Sequence, residues 1–361
     1  MTPVPLDLPL RLSEAAELAN LVFSLAERMP LKNEIRNRVA ARAAVLSLET
    51  IRPYPGSLER DPVHHSTYYL AVDGAAGEPL LLHMALGGAP TSGIFSKALL
   101  IGRTRLADGR DIVINAVPFG PCDHQNLDKF VAQSGTAFLP RPQGSRTAIA
   151  GDDPAAFDTF RDILKATGKN VAALAVPAGS AATDFFYAGL CAAIRAGWRD
   201  GYTIGVKVDE ATPEIAPFSR FAVDVSALVD PAGEGEARYS EALRAAERRH
   251  DLIRQTRSAC KIARPFDFEL DLAASPVPTT VDDLLLCLNW LKSRGKPAQL
   301  TVPAPGADLK ELAAAARNCQ CLLSLDARHG SPSAIAGATM GHFNYSAAGE
   351  DLPAVARQLL D

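Results

Sequence analysis

From residue 111 onward two hydrophobic patterns alternate along the chain. Short, nearly unbroken apolar runs give way to stretches in which apolar residues recur every three to four positions. The first pattern suits strands buried on both faces and the second suits amphipathic helices. Strands are expected at Asp111–Phe119, Val171–Val176, Tyr202–Val208, Phe221–Val225, Phe266–Leu272, Gln299–Pro303, Cys321–Asp326 and His342–Ser346, with a further apolar piece at Ala137–Leu139. Helices are expected at 124–131, Pro154–Thr167, from Thr183 or Asp184 to Trp198, Glu236–Ile262, Val281–Ser293, Leu309–Asn318, Ser333–Ala338 and Leu352–Leu360. Thr279, Thr280, Asp282 and Asp283 supply a cap and an acidic first turn, and Gly295 ends that helix.

About eight βα units over about 250 residues match one (β/α)8 TIM-type barrel. An open doubly wound sheet is the competing α/β architecture. It needs a glycine-rich dinucleotide turn after its first strand, and Gly120-Pro121-Cys122 is not one.

Residues 1–110 read differently, as an N-terminal α+β extension to a barrel domain spanning 111–361. A Pro-rich lead, Met1–Pro9, precedes a helix from Ser13 to about Met29 and another over Lys32–Leu48. Strands follow at Ser66–Val72 and Pro79–Leu86. Leu99–Leu106 pairs with Asp111–Phe119 across Asp108-Gly109, a hairpin dipeptide.

Composition narrows the function classes. The chain has 361 residues, 47% hydrophobic, with a formal net charge of -4, so it builds a large core and carries no basic face for nucleic acid. The helix with Arg244, Arg248, Arg249, Arg254 and Arg257 also carries Glu236, Glu241, Glu247 and Asp251, the mark of a solvated face. No signal peptide and no bilayer-spanning apolar run is visible. The six cysteines form no Cys-x-x-Cys pair, which fits a reduced, cytoplasmic protein.

In a barrel the chemistry gathers at the C-terminal strand ends. Those positions read Asp123 and His124, Arg141 and Gln143, Ser180, Lys207 with Asp209 and Glu210, Asp224, Asp271, Asp326 with His329, and Asn344. The mixture suits a hydroxylated anionic ligand such as a sugar acid or sugar phosphate. The loop Pro140–Arg146 offers Arg141, Gln143, Ser145 and Arg146 as anion ligands, since guanidinium forks match carboxylate and phosphate. His124 is an acid–base candidate, or else a loop histidine capping a helix. Lys207 either polarises a carbonyl, forms a Schiff base, or is a surface lysine beside Asp209. Strand alternation points Glu269 and Asp271 the same way, to lumen or helices. Asp326 and His329 form a possible acid–base or ligand pair. His83 and His250 read as structural. No metal motif of definite spacing, Walker loop or Gly-x-Ser-x-Gly elbow appears.

Three segments resemble the tagaturonate epimerase family of hexuronate 3-epimerases: Ala137–Arg146, Ala188–Thr203 and Ser275–Thr280. The resemblance implies a TIM-type barrel and a divalent metal that promotes inversion beside the ketone of an open-chain hexuronate. The sequence departs from it at the metal positions. Lys207 and Val208 stand where an acidic residue and His are expected, Ala273 and Ala274 replace an Asp-Glu pair, and Asp326 replaces a His. The resulting expectation is a sugar-acid epimerase- or isomerase-like barrel with no metal ligands assigned. His124, Lys207 and Asp326 would be its catalytic groups. Asp123, Arg141, Gln143, Ser145, Arg146, Asp271 and His329 would bind an anionic sugar. Two alternatives are a catalytically silent paralogue that pairs with an active partner, or forms a homo-oligomer, and a lyase or aldolase using Lys207 as Schiff base.

Overall fold

A computed structural model describes residues 10–26, 30–89, 94–209, 211–306 and 308–360, with residue 136 lacking a described side chain. The Pro-rich lead and Glu210 lie outside these residues. The chain divides into two compact units. One is the chain up to Leu139 with Tyr187–Asp200. The other is Pro140–Phe186 with the chain from Gly201.

The first unit opens with helices α1 (Leu12–Ala26) and α2 (Asn33–Ala43). Six strands follow: β1 (Ile51–Pro53), β2 (Glu59–Arg60), β3 (Thr67–Gly74), β4 (Pro79–Leu86), β5 (Leu99–Arg105) and β6 (Asp111–Pro118). They form one antiparallel sheet, ordered β1-β3-β4-β6-β5, with β2 also paired to β3. Period two sorts their side chains. Tyr68, Leu70, Val72, Leu82, Met84, Ile112 and Ile114 share one core with Leu18, Val22 and Phe23 of α1. Tyr69 on the other face meets Phe130 of α3 (His124–Ser134), 6.4 Å between ring centroids. The expected hairpin across Asp108-Gly109 is present, β3 and β4 pair antiparallel as well, and Gly109 adopts the left-handed φ of +90° that the tight turn needs.

The strand Asp111–Pro118 is the first correction. It was expected to open the barrel and instead pairs antiparallel with β4 and β5. Its apolar run reflects a sheet covered on both faces, a condition that antiparallel sheets also meet.

The second unit is a closed barrel of eight parallel strands with helices between them. The strands are β7 (Ala148–Gly151), β8 (Ala172–Ala175), β9 (Thr203–Lys207), β10 (Arg220–Asp224), β11 (Asp267–Asp271), β12 (Leu300–Val302), β13 (Leu322–Leu325) and β14 (Phe343–Ser346). The helices are α4 (Phe157–Thr167), α5 (Ala182–Ala196, of which only the part up to Phe186 belongs to this unit), α6 (Glu236–Ala259), α7 (Val281–Ser293), α8 (Leu309–Asn318), α9 (Pro332–Thr339) and α10 (Leu352–Leu360). Local signals fix their ends. Gly168 at φ +68° stops α4, and Thr280 with Asp283 forms a capping box on α7. The barrel's first strand, Ala148–Gly151, went unrecognised, and Ala137–Leu139 is no strand but overlaps a 3-10 turn, Gly135–Phe138. No described helix is long and apolar enough to cross a membrane.

Candidate active site at the C-terminal mouth of the barrel

Alternate residues of each barrel strand face the lumen. Strand pairing sets Gly205, Arg220 and Asp267 side by side, then Lys207, Ala222 and Glu269, then Asp224, Asp271 and Val302 at the C-terminal rim. Across the lumen Ala148, Ala150 and Ala173 form a small buried cluster with Ala175 beside it. Barrel interiors are commonly filled by bulky branched residues. Here one side is lined by methyl groups and the other by charge.

Arg220 is among the buried charges, 5% exposed. Its guanidinium lies flat on the backbone of Gly205, where an added Cβ would sit 2.4 Å from Nε. Its Nε is 3.4 Å from Glu269 Oε2, yet neither atom makes a hydrogen bond among the described residues, and Arg220 Nη1 makes none either. Burial raises the Glu269 carboxyl above its ordinary pKa, with Arg220 opposing. Next along, Asn344 Nδ2 donates to Ser324 Oγ at 2.7 Å while Asn344 Oδ1 is unpartnered. Buried polar atoms are ordinarily satisfied, so this row has hydrogen-bonding capacity to spare.

At the rim Lys207 Nζ donates to Asp224 Oδ2 at 2.8 Å, and Ser226 N–H donates to Asp224 Oδ1 at 3.0 Å. Burial would raise the pKa of Asp224, but these bonds outweigh it and hold it low. The bond to Asp224, with Asp271 and Asp209 nearby, holds Lys207 in its ammonium form. Asp271 behaves oppositely. Burial, reinforced by the Asp224 charge, raises its pKa despite Lys207 and Arg328. The rim thus sets a carboxylate of increased basicity beside a fixed cation, the combination that proton removal next to a carbonyl requires.

A second rim element follows β13 as a 3-10 turn, Ala327–His329. Asp326 accepts from Arg328 Nη2 at 2.6 Å. His329 Nδ1 lies 3.1 Å from Asp326 Oδ1, and Nε2 lies 3.1 Å from the Pro303 carbonyl. A carbonyl only accepts, so Nε2 carries the hydrogen. Burial would lower the His329 pKa, but these two bonds reverse it. Asp326 would likewise rise on burial, but His329 and Arg328 pull it well below the carboxylate range.

No protein-family model and no curated protein matches the chain. Solved structures do. A glycerol-complexed crystal structure of fructuronate-tagaturonate epimerase UxaE from Cohnella laeviribosi superposes with TM-score 0.61 at 17% identity, over 88% of this chain and 74% of that one. The native form gives TM-score 0.59 at 17% identity, over 87% and 75%. This chain has the UxaE fold. At that identity the likeness is one of architecture, and residue roles rest on the geometry of this chain.

Set on the UxaE-like barrel, the expected site residues separate. Lys207, Asp271, Asp326 and His329 come together at the C-terminal mouth, with Asp224. Arg141, Gln143, Ser145 and Arg146 do not, and this corrects their placement at a C-terminal strand end. The loop precedes β7, so it falls at the N-terminal mouth whatever its chemistry. Gln143 N–H donates to Asp267 Oδ2, Gly144 N–H reaches the same carboxylate at 3.3 Å, and Gln143 Nε2 donates to the Arg146 carbonyl at 2.5 Å. The loop plugs the barrel floor.

His124 and Asp123 belong to the first unit. His124 stacks on Tyr187 with ring centroids 3.8 Å apart, and Asp123 accepts from Gly120 N–H at 2.8 Å. Both have local structural work there. Asp326 is too weak a base to shuttle protons, and the His329 side chain is 1% exposed with both nitrogens engaged. These two hold Arg328 and the rim in place. Arg220 and Arg328 are not among the candidates that the sequence offers, and Glu269 is placed there only by strand alternation. Arg328 had a signal in its spacing, two residues past a strand-end aspartate. Arg220 opens its strand, where sequence alone does not distinguish lumen from floor.

The described residues at this mouth are not gathered as ligands for a divalent ion. Among the described residues no three His, Cys, Asp or Glu side chains gather as a metal-ligand set. The rim carboxylates Asp224 and Asp326 are paired with Lys207 and with Arg328 and His329.

Proposed function

We propose that this chain is a sugar-acid epimerase- or isomerase-like barrel that binds an open-chain hexuronate-type acid at its C-terminal mouth. The observation that carries this reading is the triad Lys207, Asp224 and Asp271 on three adjacent strand ends of a UxaE-like barrel. Asp271 removes the proton beside the ketone. The Lys207 ammonium, held charged by Asp224, hydrogen-bonds the oxygen on which negative charge develops. Arg220, with donors unused among the described residues, or Arg328 at the rim takes the sugar carboxylate. Hydroxyl groups find acceptors in Asp224 and Asn344 Oδ1.

The Schiff-base alternative is disfavoured by the same pair. A nucleophilic lysine needs a depressed pKa, and Asp224 moves Lys207 the other way. The test is incubation with fructuronate and with tagaturonate, followed by chromatography. These two acids differ one carbon beyond the position beside the ketone, so the product to look for is the epimer at the ketone-adjacent carbon, and its Lys207-dependent formation supports the reading. Wild-type protein that leaves both sugars unchanged refutes it.

A further inference from the structure

The opposite end of the barrel carries an excess of positive charge that the C-terminal chemistry does not use. A cavity of about 440 Å³ opens between the end of α6 and the start of β11, lined by Arg254, Arg257, Ser258, Lys261 and Arg264 and by no carboxylate. That volume suits a small ligand.

None of these four cations forms a salt bridge among the described residues. Arg257 Nη1 donates to the carbonyls of Ala216 at 2.7 Å and Phe218 at 2.6 Å, and its Nη2 to that of Arg264 at 2.6 Å. Arg264 Nη1 donates to the Pro140 carbonyl at 3.2 Å. Carbonyls satisfy donors but leave the charge uncompensated. Burial, and after it the neighbouring Arg264, lowers the Arg257 pKa to about 10. Arg141 and Arg146 sit on the loop that follows Pro140. The floor carboxylate, Asp267, is already bonded to the N–H groups of Gln143 and Gly144. Beside Arg264 the hydroxyl of Tyr202, a residue 1% exposed, has no hydrogen-bond partner among the described residues. The C-terminus of α6 opposes an anion with about half a charge, well short of four cations.

We propose that this floor pocket binds a small phosphate-bearing anion, at a site separate from the C-terminal mouth. Arg254, Lys261 and Arg264 supply its charge-assisted hydrogen bonds. A dianion is preferred to a monocarboxylate because guanidinium and ammonium groups line the pocket and no carboxylate does, and Asp251, whose charge reaches Arg254, is itself bonded to Lys296. Occupancy ties the end of α6 to the loop before β7 through Arg264.

The test is titration calorimetry of the full chain with inorganic phosphate, pyrophosphate and glycerol phosphate, ionic strength held constant with sodium chloride. The expected result is saturable binding of at least one probe, weakened at least about tenfold in the double variant Arg254→Ala/Lys261→Ala. Both residues are exposed, so that variant keeps the fold. The order of the three probes tells free phosphate from a phosphate monoester. No saturable binding overturns the proposal. So does binding that the double variant leaves unchanged, which marks an adventitious ion only.

Discussion

The two mouths of the barrel both concentrate charge, and they satisfy it differently. At the N-terminal mouth the partners are main chain: Asp267 accepts from the N–H groups of Gln143 and Gly144, and Arg257 and Arg264 donate to carbonyls. At the C-terminal mouth they are largely side chains: Lys207 on Asp224, Arg328 and His329 on Asp326. A main-chain partner is fixed by the fold, so breaking such a bond breaks structure. A side-chain pair can open to admit a substrate group, and reform. The same residue types therefore brace the barrel at one end and are free to react at the other.

Asp267→Ala should separate the ends most sharply. It strands the N–H groups of Gln143 and Gly144 and removes an acid that faces Arg146 and Arg220, and should cost about 3 kcal/mol in urea unfolding. At the other mouth Lys207→Ala should change stability by less than about 1 kcal/mol, since its pair with Asp224 is half exposed. Its turnover of hexuronate should fall about a hundredfold, the usual cost of losing one donor to a developing oxyanion. Equal stability losses for the two variants would erase the distinction.

Gly205→Ala probes the layer between the mouths. Its methyl would displace the Arg220 guanidinium, at a cost of about 1 to 2 kcal/mol, and raise KM for the sugar acid more than it lowers kcat. The smallest effect is pH-dependent. The Asp326 carboxyl is depressed in the folded state, so its stabilisation is complete above the ordinary carboxylate range and lost as pH falls through its folded value. The stability deficit of Asp326→Asn should accordingly be full at pH 7 and shrink on acidification below about pH 4. A deficit independent of pH would remove the charge from this account.

The barrel was legible because its helices and strands differ in hydrophobic period, and capping at Thr280 and the stop at Gly168 agree with that period. The start of the barrel was not. Asp111–Pro118 looks like a parallel core strand because both faces of its antiparallel sheet are covered, while Ala148–Gly151 is four small residues after a Pro-rich loop. That error of one strand carried the site with it. It put the Arg141–Arg146 loop and His124 at the wrong strand ends, although Lys207, Asp271 and Asp326 were placed correctly at theirs. The Arg220–Glu269 row was invisible for another reason: its meaning lies in unspent hydrogen bonds and in the missing Cβ of Gly205 on the neighbouring strand.

The most direct measurement is deuterium uptake from heavy water into tagaturonate, followed by proton NMR, with wild type and Asp271→Asn. The account predicts exchange at the carbon beside the ketone in the wild type, reduced at least about a hundredfold in the variant while its unfolding midpoint is preserved. Exchange at the wild-type rate in Asp271→Asn would contradict the assignment of the base, and with it the C-terminal mouth as the reacting centre.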